Sequence, residues 1–157
     1  MFRKMRRFNQ QLSNENCINI LKKATSGTLA IQADDDYPYA VPLSFAYDNG
    51  KIYFHCAKEG HKIDLLRNNE KVSFCVIEKD DIIPEKFTTA FTSVIAFGKI
   101  KFIEETDKKT YALKKLAEKY SPNIDSKPEI SGSLERTCIL ELNIEHMTGK
   151  QAKELVK

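Results

Sequence analysis

Long apolar runs are missing from this chain. No uninterrupted apolar segment approaches the length that spans a membrane. The basic start, MFRKMRRF, leads into Asn9, Gln10 and Gln11 rather than into an apolar segment, so no secretory signal peptide is expected. We therefore predict a cytoplasmic protein with no membrane partner.

Cysteine is scarce and scattered, which argues against disulfide scaffolds and zinc sites. No Cys-x-x-Cys pair occurs among the four cysteines, which are Cys17, Cys56, Cys75 and Cys138. Paired zinc-ligand spacing is also absent from the three histidines, His55, His61 and His146. We interpret the cysteines as reduced, small hydrophobic residues, with a reactive thiol at Cys56 as the alternative.

Glycine-rich nucleotide motifs and nucleophile motifs are absent as well. No Gly-x-Gly-x-x-Gly follows a predicted strand and no Walker-type loop occurs, which argues against Rossmann and P-loop nucleotide binding. No Gly-x-Ser-x-Gly elbow is present, and no Ser/His/Asp set can be assembled. Any catalysis is therefore expected to depend on a bound cofactor.

The overall composition is that of an ordinary globular protein. The chain has 157 residues, of which 30% are charged and 41% hydrophobic. This length predicts a single domain, residues 1–157, with a substantial core. The net charge of +3 is too small to indicate nucleic acid as the main partner.

Hydrophobic periodicity predicts two longer helices and one short one. Ser13 is the expected N-cap of the first, whose apolar face consists of Cys17, Ile20, Leu21 and Ala24. A short helix is expected from Ile63 to Arg67, and another longer one begins at Thr106. Loops are expected at 79–86 and 121–133, because both segments are polar and contain proline.

Alternating apolar residues predict six strands, over residues 28–33, 39–47, 52–56, 72–78, 88–103 and 138–144. Asp48-Asn49-Gly50 is a hairpin signal, and Gly98 marks a bend or bulge. In the last strand, Glu141, Asn143 and Glu145 are expected to face outward. Hairpin connections favour a mainly β, α+β fold with an antiparallel six-stranded barrel and flanking helices.

The strand at 39–47 has two unlike faces. Its bulky face consists of Tyr39, Val41, Leu43, Phe45 and Tyr47 and belongs in a core. The other face consists of the small residues Ala40, Pro42, Ser44 and Ala46, against which a flat molecule can lie. Pro42 has no N–H group, which predicts an edge position or a bulge.

The segment KIYFHCAKEGHKIDLLR, residues 51–67, is the most informative for function. Lys58, His61 and Lys62 crowd the junction where a predicted strand gives way to a helix. Positive charge at a helix start is unfavourable, because the macrodipole already places partial positive charge there. A bound anion removes the conflict, so the pattern favours a phosphate-binding corner over an ordinary solvated turn.

The run from Pro38 to Phe74 resembles the flavin-binding core of the pyridoxamine 5′-phosphate oxidase-like split barrels. It most resembles the branch related to nitroimidazole-resistance reductases. Three further matches are Ser93-Val94-Ile95 with Gly98 downstream, the helix after Thr106, and the closing HMTGK at 146–150. The resemblance covers nearly the whole chain and implies an antiparallel six-stranded split β-barrel.

The resemblance also implies FMN bound in a cleft between the two subunits of a homodimer. Lys58, His61 and Lys62 would receive the FMN phosphate, with Ser93 reaching it from a neighbouring strand. The isoalloxazine ring would lie along Pro42, Leu43 and Ser44. The strand end between ring and phosphate would be lined by His55, Cys56 and Ala57.

The activity implied by the resemblance is that of an FMN-dependent oxidoreductase. It would pass electrons from a nicotinamide donor, NAD(P)H, to a small organic acceptor, of which a nitro-aromatic is one example. The basic pattern with which true pyridoxamine phosphate oxidases bind a second phosphate does not stand out, so vitamin B6 oxidation is not expected. His55 is the one candidate proton donor, and a strand-end histidine with a satisfied hydrogen bond is the alternative.

The sequence is also compatible with two other functions. The first is a non-enzymatic flavin carrier or sensor, which would have the same site without a productive substrate pocket. The second is an oligonucleotide-binding barrel, suggested by the basic residues of the N-terminus. The second predicts a colourless protein that binds single strands in a salt-sensitive way.

Overall fold

The strands are the main secondary structure of the protein. A computed structural model describes residues 1–157 and contains seven strands. They are β1 (Gly27–Gln32), β2 (Pro38–Leu43), β3 (Ala46–Asp48), β4 (Lys51–Ala57), β5 (Lys71–Ile83), β6 (Thr88–Ile103) and β7 (Thr137–Gln151).

Four α-helices flank the strands. They are α1 (Asn14–Lys23), α2 (His61–Asn68), α3 (Thr106–Tyr120) and α4 (Lys127–Ser133). Short 3₁₀ turns occur at Phe8–Gln10, Pro84–Lys86 and Lys153–Leu155. None of the helices has the length and apolarity that crossing a bilayer requires.

All seven strands form one antiparallel sheet, in the order β2-β1-β5-β6-β7-β4-β3. β2 and β3 are its opposite edges, yet only Ser44 and Phe45 separate them in the chain. The three Cα–Cα steps from Leu43 to Ala46 span at most about 11 Å. The two edges therefore lie close together, and the sheet curls into a barrel that stays open between β2 and β3.

The split in the barrel explains the difference from the predicted strand count. The single strand expected over 39–47 is two strands that belong to opposite edges, which gives seven strands rather than six. The edge position predicted for Pro42 is confirmed. This residue pairs with Thr28 of β1, and β2 has no second neighbouring strand.

Two expected loops are shorter than predicted. Lys79 to Lys86 is not one surface loop, because β5 continues to Ile83 and pairs with β6, leaving only a tight turn at Pro84–Lys86. Within 121–133, the segment from Lys127 onward is helix α4, in which Ile130 is buried. The predicted irregularity at Gly98 is confirmed, since the β6–β7 register shifts between Phe97 and Gly98.

Local signals at two turns are confirmed. Ser13 caps α1, and its Oγ accepts a hydrogen bond from the Asn16 N–H at 3.1 Å. The β3–β4 hairpin turns at Asn49 and Gly50, whose φ angles of 46° and 79° are both positive. Two positive φ values are typical of the type I′ turn, which suits the twist of antiparallel strands.

The main core fills the barrel. The buried face of α1, with Cys17, Ile20 and Leu21, packs inside it. Three fully buried aromatic residues stack edge to face at its centre, with Phe74 4.9 Å from Phe45 and 5.0 Å from Phe54 between ring centroids. This aromatic cluster fixes the Phe45 end of the link between the two sheet edges.

A second, smaller core lies on the outside of β4 and β7, beneath α3 and α4. It consists of Tyr53, Ala112, Leu113, Ile130 and Ile139. Glu141 does face the outer side of the sheet, as expected, but it is buried there beside Tyr53 and is only 7% exposed. Its carboxylate is paired with the Lys51 ammonium group at 3.4 Å and accepts a hydrogen bond from the Asn143 amide at 3.0 Å.

Candidate functional site

The junction between β4 and α2 carries the predicted basic corner. Gly60 has a φ of 138°, a conformation that favours glycine, and no side chain caps the N-terminus of α2. Lys58 and His61 are exposed there, whereas Lys62 is half-buried. An uncapped helix start surrounded by cationic side chains is suited to an oxyanion.

The corner touches β2 through an aromatic contact. The ring centroid of His61 lies 4.6 Å from that of Tyr39, and the two planes are tilted by 58°. Tyr39 is the second residue of the edge strand. The basic corner therefore lies at the beginning of the strand that carries the small-residue face.

The small-residue face of β2 is exposed. Ala40, Pro42 and the following Ser44 are all open to solvent, whereas Leu43 packs against the main core. Only the backbone of Leu43 therefore borders this face. From Tyr39 to Ser44 the exposed strip extends about 16 Å, at the usual rise of a strand.

The far end of the strip opens into a cavity. Ser44 and His55 both line a space of about 440 Å³ that is otherwise bounded mainly by α3 and α4. Tyr120, Glu129 and Arg136 contribute polar groups to its wall. The cavity therefore combines a hydroxyl, an imidazole and a guanidinium group with the apolar side chains of two helices.

Residues 39–44 and residues 55–61 approach each other at both ends of the two segments. Tyr39 contacts His61 at one end, and Ser44 shares a cavity with His55 at the other. The stretch from 39 to 44 and the stretch from 55 to 61 are therefore near each other at both ends, and we call the space between them the groove. The structure brings together most of the predicted site residues in this way.

The three predicted residues at the end of β4 do not share one face, because side chains alternate along a strand. His55 and Ala57 are exposed on the outer face of the barrel. Cys56 points to the inner face, where it packs at the edge of the main core directly across from Cys138 of β7. The side chain of Cys56 therefore lies on the opposite side of the strand from the cavity.

Ser93 is not close to the basic corner within one chain. Tyr39 pairs with Ile31 of β1, which pairs with Val72 of β5, and Val72 pairs with Gly98 of β6. Gly98 is therefore the residue of β6 in line with Tyr39. Ser93 lies five residues further along β6, about 16 Å at the usual strand rise. In a single chain, it therefore cannot join the cationic groups of the corner.

His55 is exposed, and its imidazole makes no hydrogen bond to another residue. It is therefore available to a bound molecule. No cluster of three His, Cys, Asp or Glu side chains able to hold a metal ion occurs in the structure.

Sequence reasoning missed Tyr39, Tyr120 and Arg136 as site residues. Tyr39 seemed a core residue because it shares the bulky face of its strand, and its ring does carry the contact with His61. Tyr120 is the last residue of α3, and its hydroxyl accepts a hydrogen bond from the Phe45 N–H at 2.9 Å, a contact that no local pattern indicates. Nothing local to Arg136 distinguishes it from any exposed arginine.

The fold and the groove together define a split barrel with a basic corner at one end of an exposed strip. A family model described as pyridoxamine 5′-phosphate oxidase matches residues 13–151. The chain belongs to this family, which confirms the resemblance read from the sequence.

Solved structures share the fold. A crystal structure of a protein of Bacteroides thetaiotaomicron VPI-5482, proposed to act in 5-nitroimidazole antibiotic resistance, superposes with a TM-score of 0.77 at 24% identity, over 90% of this chain and 86% of that one. An FAD-binding protein of Mesorhizobium loti has a TM-score of 0.66 at 26% identity, over 91% of this chain and 97% of that one.

One similar curated protein is an uncharacterized protein of Rhizobium meliloti (strain 1021). The two sequences are 34% identical over 71 residues, which is 45% of this chain and 46% of that protein. The match thus spans less than half of the curated relative.

Proposed function

We propose that this protein binds FMN and acts as an oxidoreductase. Two findings support flavin binding: the chain belongs to the pyridoxamine 5′-phosphate oxidase family, and the similar protein of Mesorhizobium loti binds FAD. The choice of FMN rests on the groove, which offers one basic end suited to one terminal phosphate.

The observation that carries the proposal is the contact between His61 and Tyr39. It places the basic corner at the start of the strand whose outer face carries the exposed strip of Ala40, Pro42 and Ser44. FMN has the matching asymmetry, with a dianionic phosphate at one end and a flat ring at the other. A phosphate in the corner therefore directs the ring along the strip.

The residues at the corner fit a phosphate electrostatically. Lys58 and Lys62 supply ammonium groups, and the uncapped start of α2 supplies backbone N–H donors. Charge-assisted contacts of this kind are roughly twice as strong as neutral ones. Phosphate binding also offsets the repulsion between the lysines and the helix dipole.

The cavity beyond Ser44 is the proposed place for the electron acceptor. It adjoins the end of the strip where the ring is expected, and His55 is exposed on its wall with no protein partner. When bound, FMN supplies the transfer of a hydride or of single electrons. We assign His55 as the candidate proton donor to a small organic acceptor, such as a nitro-aromatic, with NAD(P)H as the electron donor.

A homodimer is part of the proposal. Ser93 lies on the outer face of β6, where Ile95 is 39% exposed and the neighbouring Ile77 of β5 is 59% exposed. Neighbouring exposed apolar residues on a sheet face mark a protein–protein interface when they form a contiguous patch. A second copy packed on this face would bring its Ser93 toward the groove, which a single chain does not achieve. We assign the dimer to the cytoplasm.

Purification followed by release of any pigment tests flavin binding. The proposal predicts a yellow protein whose released pigment has the mass of FMN. Turnover of NADH or NADPH with nitro-aromatic and quinone acceptors then separates an enzyme from a flavin carrier. A colourless protein that also fails to bind added FMN in a fluorescence titration contradicts the proposal.

A bulky substitution on the strip tests the position of the ring. Ser44→Phe should block flavin binding without changing the far-UV circular dichroism spectrum, because the Ser44 side chain is exposed. Ser131→Phe, at an exposed position on α4, is the matched control and should bind flavin normally. Normal flavin loading in Ser44→Phe would place the ring elsewhere.

A further inference from the structure

Cys56 and Cys138 form a facing pair across β4 and β7. They occupy directly opposite positions in the antiparallel register. Directly opposed residues in such a pair have Cα atoms about 4.5–5.5 Å apart and side chains on the same face. Disulfides bridge Cα separations of about 4.4–6.8 Å. The two thiols can therefore be joined without moving either strand.

The pair is accessible from solvent. Cys138 lines a cavity of about 320 Å³ at the end of the barrel, and both cysteines are only half-buried. Peroxide is small enough to enter such a space. The other two cysteines differ, because Cys17 is buried in the core and Cys75 has no cysteine opposite it in the sheet.

The cavity is strongly basic. Lys58, Arg67 and Lys109 line it, with Glu104 as the one carboxylate. The guanidinium group of Arg67 is held over the Phe102 ring, 4.5 Å from its centroid. Cationic side chains beside a half-exposed thiol are the environment that makes a cysteine reactive, since they stabilise the thiolate.

The two thiols differ in acidity. The pKa of Cys138 is lowered to about 7, because its thiolate can accept a hydrogen bond from the facing Cys56 thiol and because the positive charges of Arg67, Lys109 and Lys62 stabilise it. The pKa of Cys56 is raised by the same hydrogen bond and by burial. Cys138 also lines the basic cavity, whereas Cys56 does not, and this position makes Cys138 the better nucleophile of the pair.

We propose that Cys138 and Cys56 form a peroxide-sensitive thiol site in which Cys138 reacts first and Cys56 resolves the product. The Cys138 thiolate attacks peroxide, forming an S–O bond while the O–O bond breaks and hydroxide leaves. The Cys56 sulfur then attacks the sulfenic acid, forming the S–S bond and releasing water. Two thiols are oxidised by two electrons, and hydrogen peroxide is reduced to two waters.

This site does not depend on the proposed flavin chemistry. The full chain, without added flavin, is treated with hydrogen peroxide, alkylated and digested without reductant for mass spectrometry. A peptide linking Cys56 to Cys138 is expected, and dithiothreitol should reverse it. Recovery of both cysteines in the alkylated, reduced form after peroxide treatment would overturn the proposal.

Single substitutions test the order of attack. Cys56→Ser should leave a sulfenic acid at Cys138 that dimedone labels, whereas Cys138→Ser should give no label at Cys56. Cys75→Ser is the matched control and should still form the disulfide. Dimedone labelling of Cys56 in Cys138→Ser, at the level seen for Cys138 in Cys56→Ser, would refute the assigned roles.

Thermal unfolding gives a second readout in the unmodified sequence. The disulfide would close a long loop, so oxidation should raise the melting temperature by about 5–15 °C. Cys138→Ser should show no such rise when treated with peroxide. An equal rise in that variant would show that another residue is responsible.

Discussion

The Tyr120 hydroxyl joins three parts of the chain, so its removal is a sensitive test of how the split barrel is held. It donates to the Thr25 carbonyl oxygen at 2.6 Å and accepts from the Phe45 N–H at 2.9 Å. Phe45 belongs to the link between the two edges of the sheet, and its side chain is fully buried. Tyr120→Phe removes both hydrogen bonds and leaves the ring in place.

The expected loss of stability follows from these contacts. A hydrogen bond contributes about 0.5–1.5 kcal/mol net, and a polar group left buried without a partner costs about 1–3 kcal/mol. Tyr120 is 39% exposed, so water can replace part of what is lost. We expect the free energy of unfolding to fall by about 1–2 kcal/mol, which lowers the melting temperature by about 2–8 °C in a chain of this size.

Urea unfolding followed by far-UV circular dichroism measures this change. Tyr111→Phe is the matched control, because the Tyr111 hydroxyl also makes a short hydrogen bond, 2.6 Å from the Asp48 carboxylate, but at the exposed surface. The control should shift the transition much less. Equal effects of Tyr120→Phe and Tyr111→Phe would refute the role assigned to Tyr120.

Three further substitutions test separate parts of the fold by urea unfolding. Gly98→Ala should destabilise by about 1–3 kcal/mol, because its Cβ would overlap the Asn143 carbonyl group, whereas the control Gly132→Ala has open space and should not destabilise. Ser13→Ala should cost about 1 kcal/mol through loss of the α1 cap, and an unchanged midpoint would contradict that cap. Burial lowers the pKa of Lys119 to about 8 from 10.5, so the folded state binds fewer protons than the unfolded chain between these values. Stability from Lys119 should therefore rise with pH across that window, and Lys119→Met should abolish the rise; a rise of equal size in Lys119→Met would exclude Lys119 as its cause.

Sequence reasoning succeeded where one local interaction decides the structure. Ser13 needs only the N–H group three residues later to cap α1, and Asn49-Gly50 needs only its own backbone preference to form a turn. Pro42 excludes a central strand by itself, because it has no N–H group. These features therefore appear in the structure as predicted.

Sequence reasoning failed where contacts with residues distant in the chain determine the local structure. The alternation over 39–47 gives no sign that the strand breaks, because the break is held by Tyr120, which is 75 residues from Phe45. The burial of Glu141 was not predicted, because only the folded protein places α3 and α4 over the outer side of the sheet. Pro128 and Gly132 suggested a loop, but burial of Ile130 stabilises helix α4 instead.

The same distinction applies to the site. Lys58, His61 and Lys62 were recognisable because they crowd one junction in the sequence. The cavity between Ser44 and His55 was not, since residues of α3 and α4 from distant parts of the chain complete it. The facing of Cys56 and Cys138 depends on the register of β4 with β7, which no spacing in the sequence reveals.

The most direct test of the central claim compares FMN with riboflavin, which differs from it only by the phosphate. Fluorescence titration of the wild-type chain, Lys62→Ala and the control Lys22→Ala, whose exposed lysine lies on α1, isolates the contribution of the corner. One charge-assisted contact contributes about 1.5–3 kcal/mol, so Lys62→Ala should weaken FMN binding roughly 10- to 100-fold and leave riboflavin binding and the control unchanged. Equal affinity of the wild-type chain for FMN and riboflavin, or equal weakening of both ligands by Lys62→Ala, would contradict a phosphate site at the start of α2.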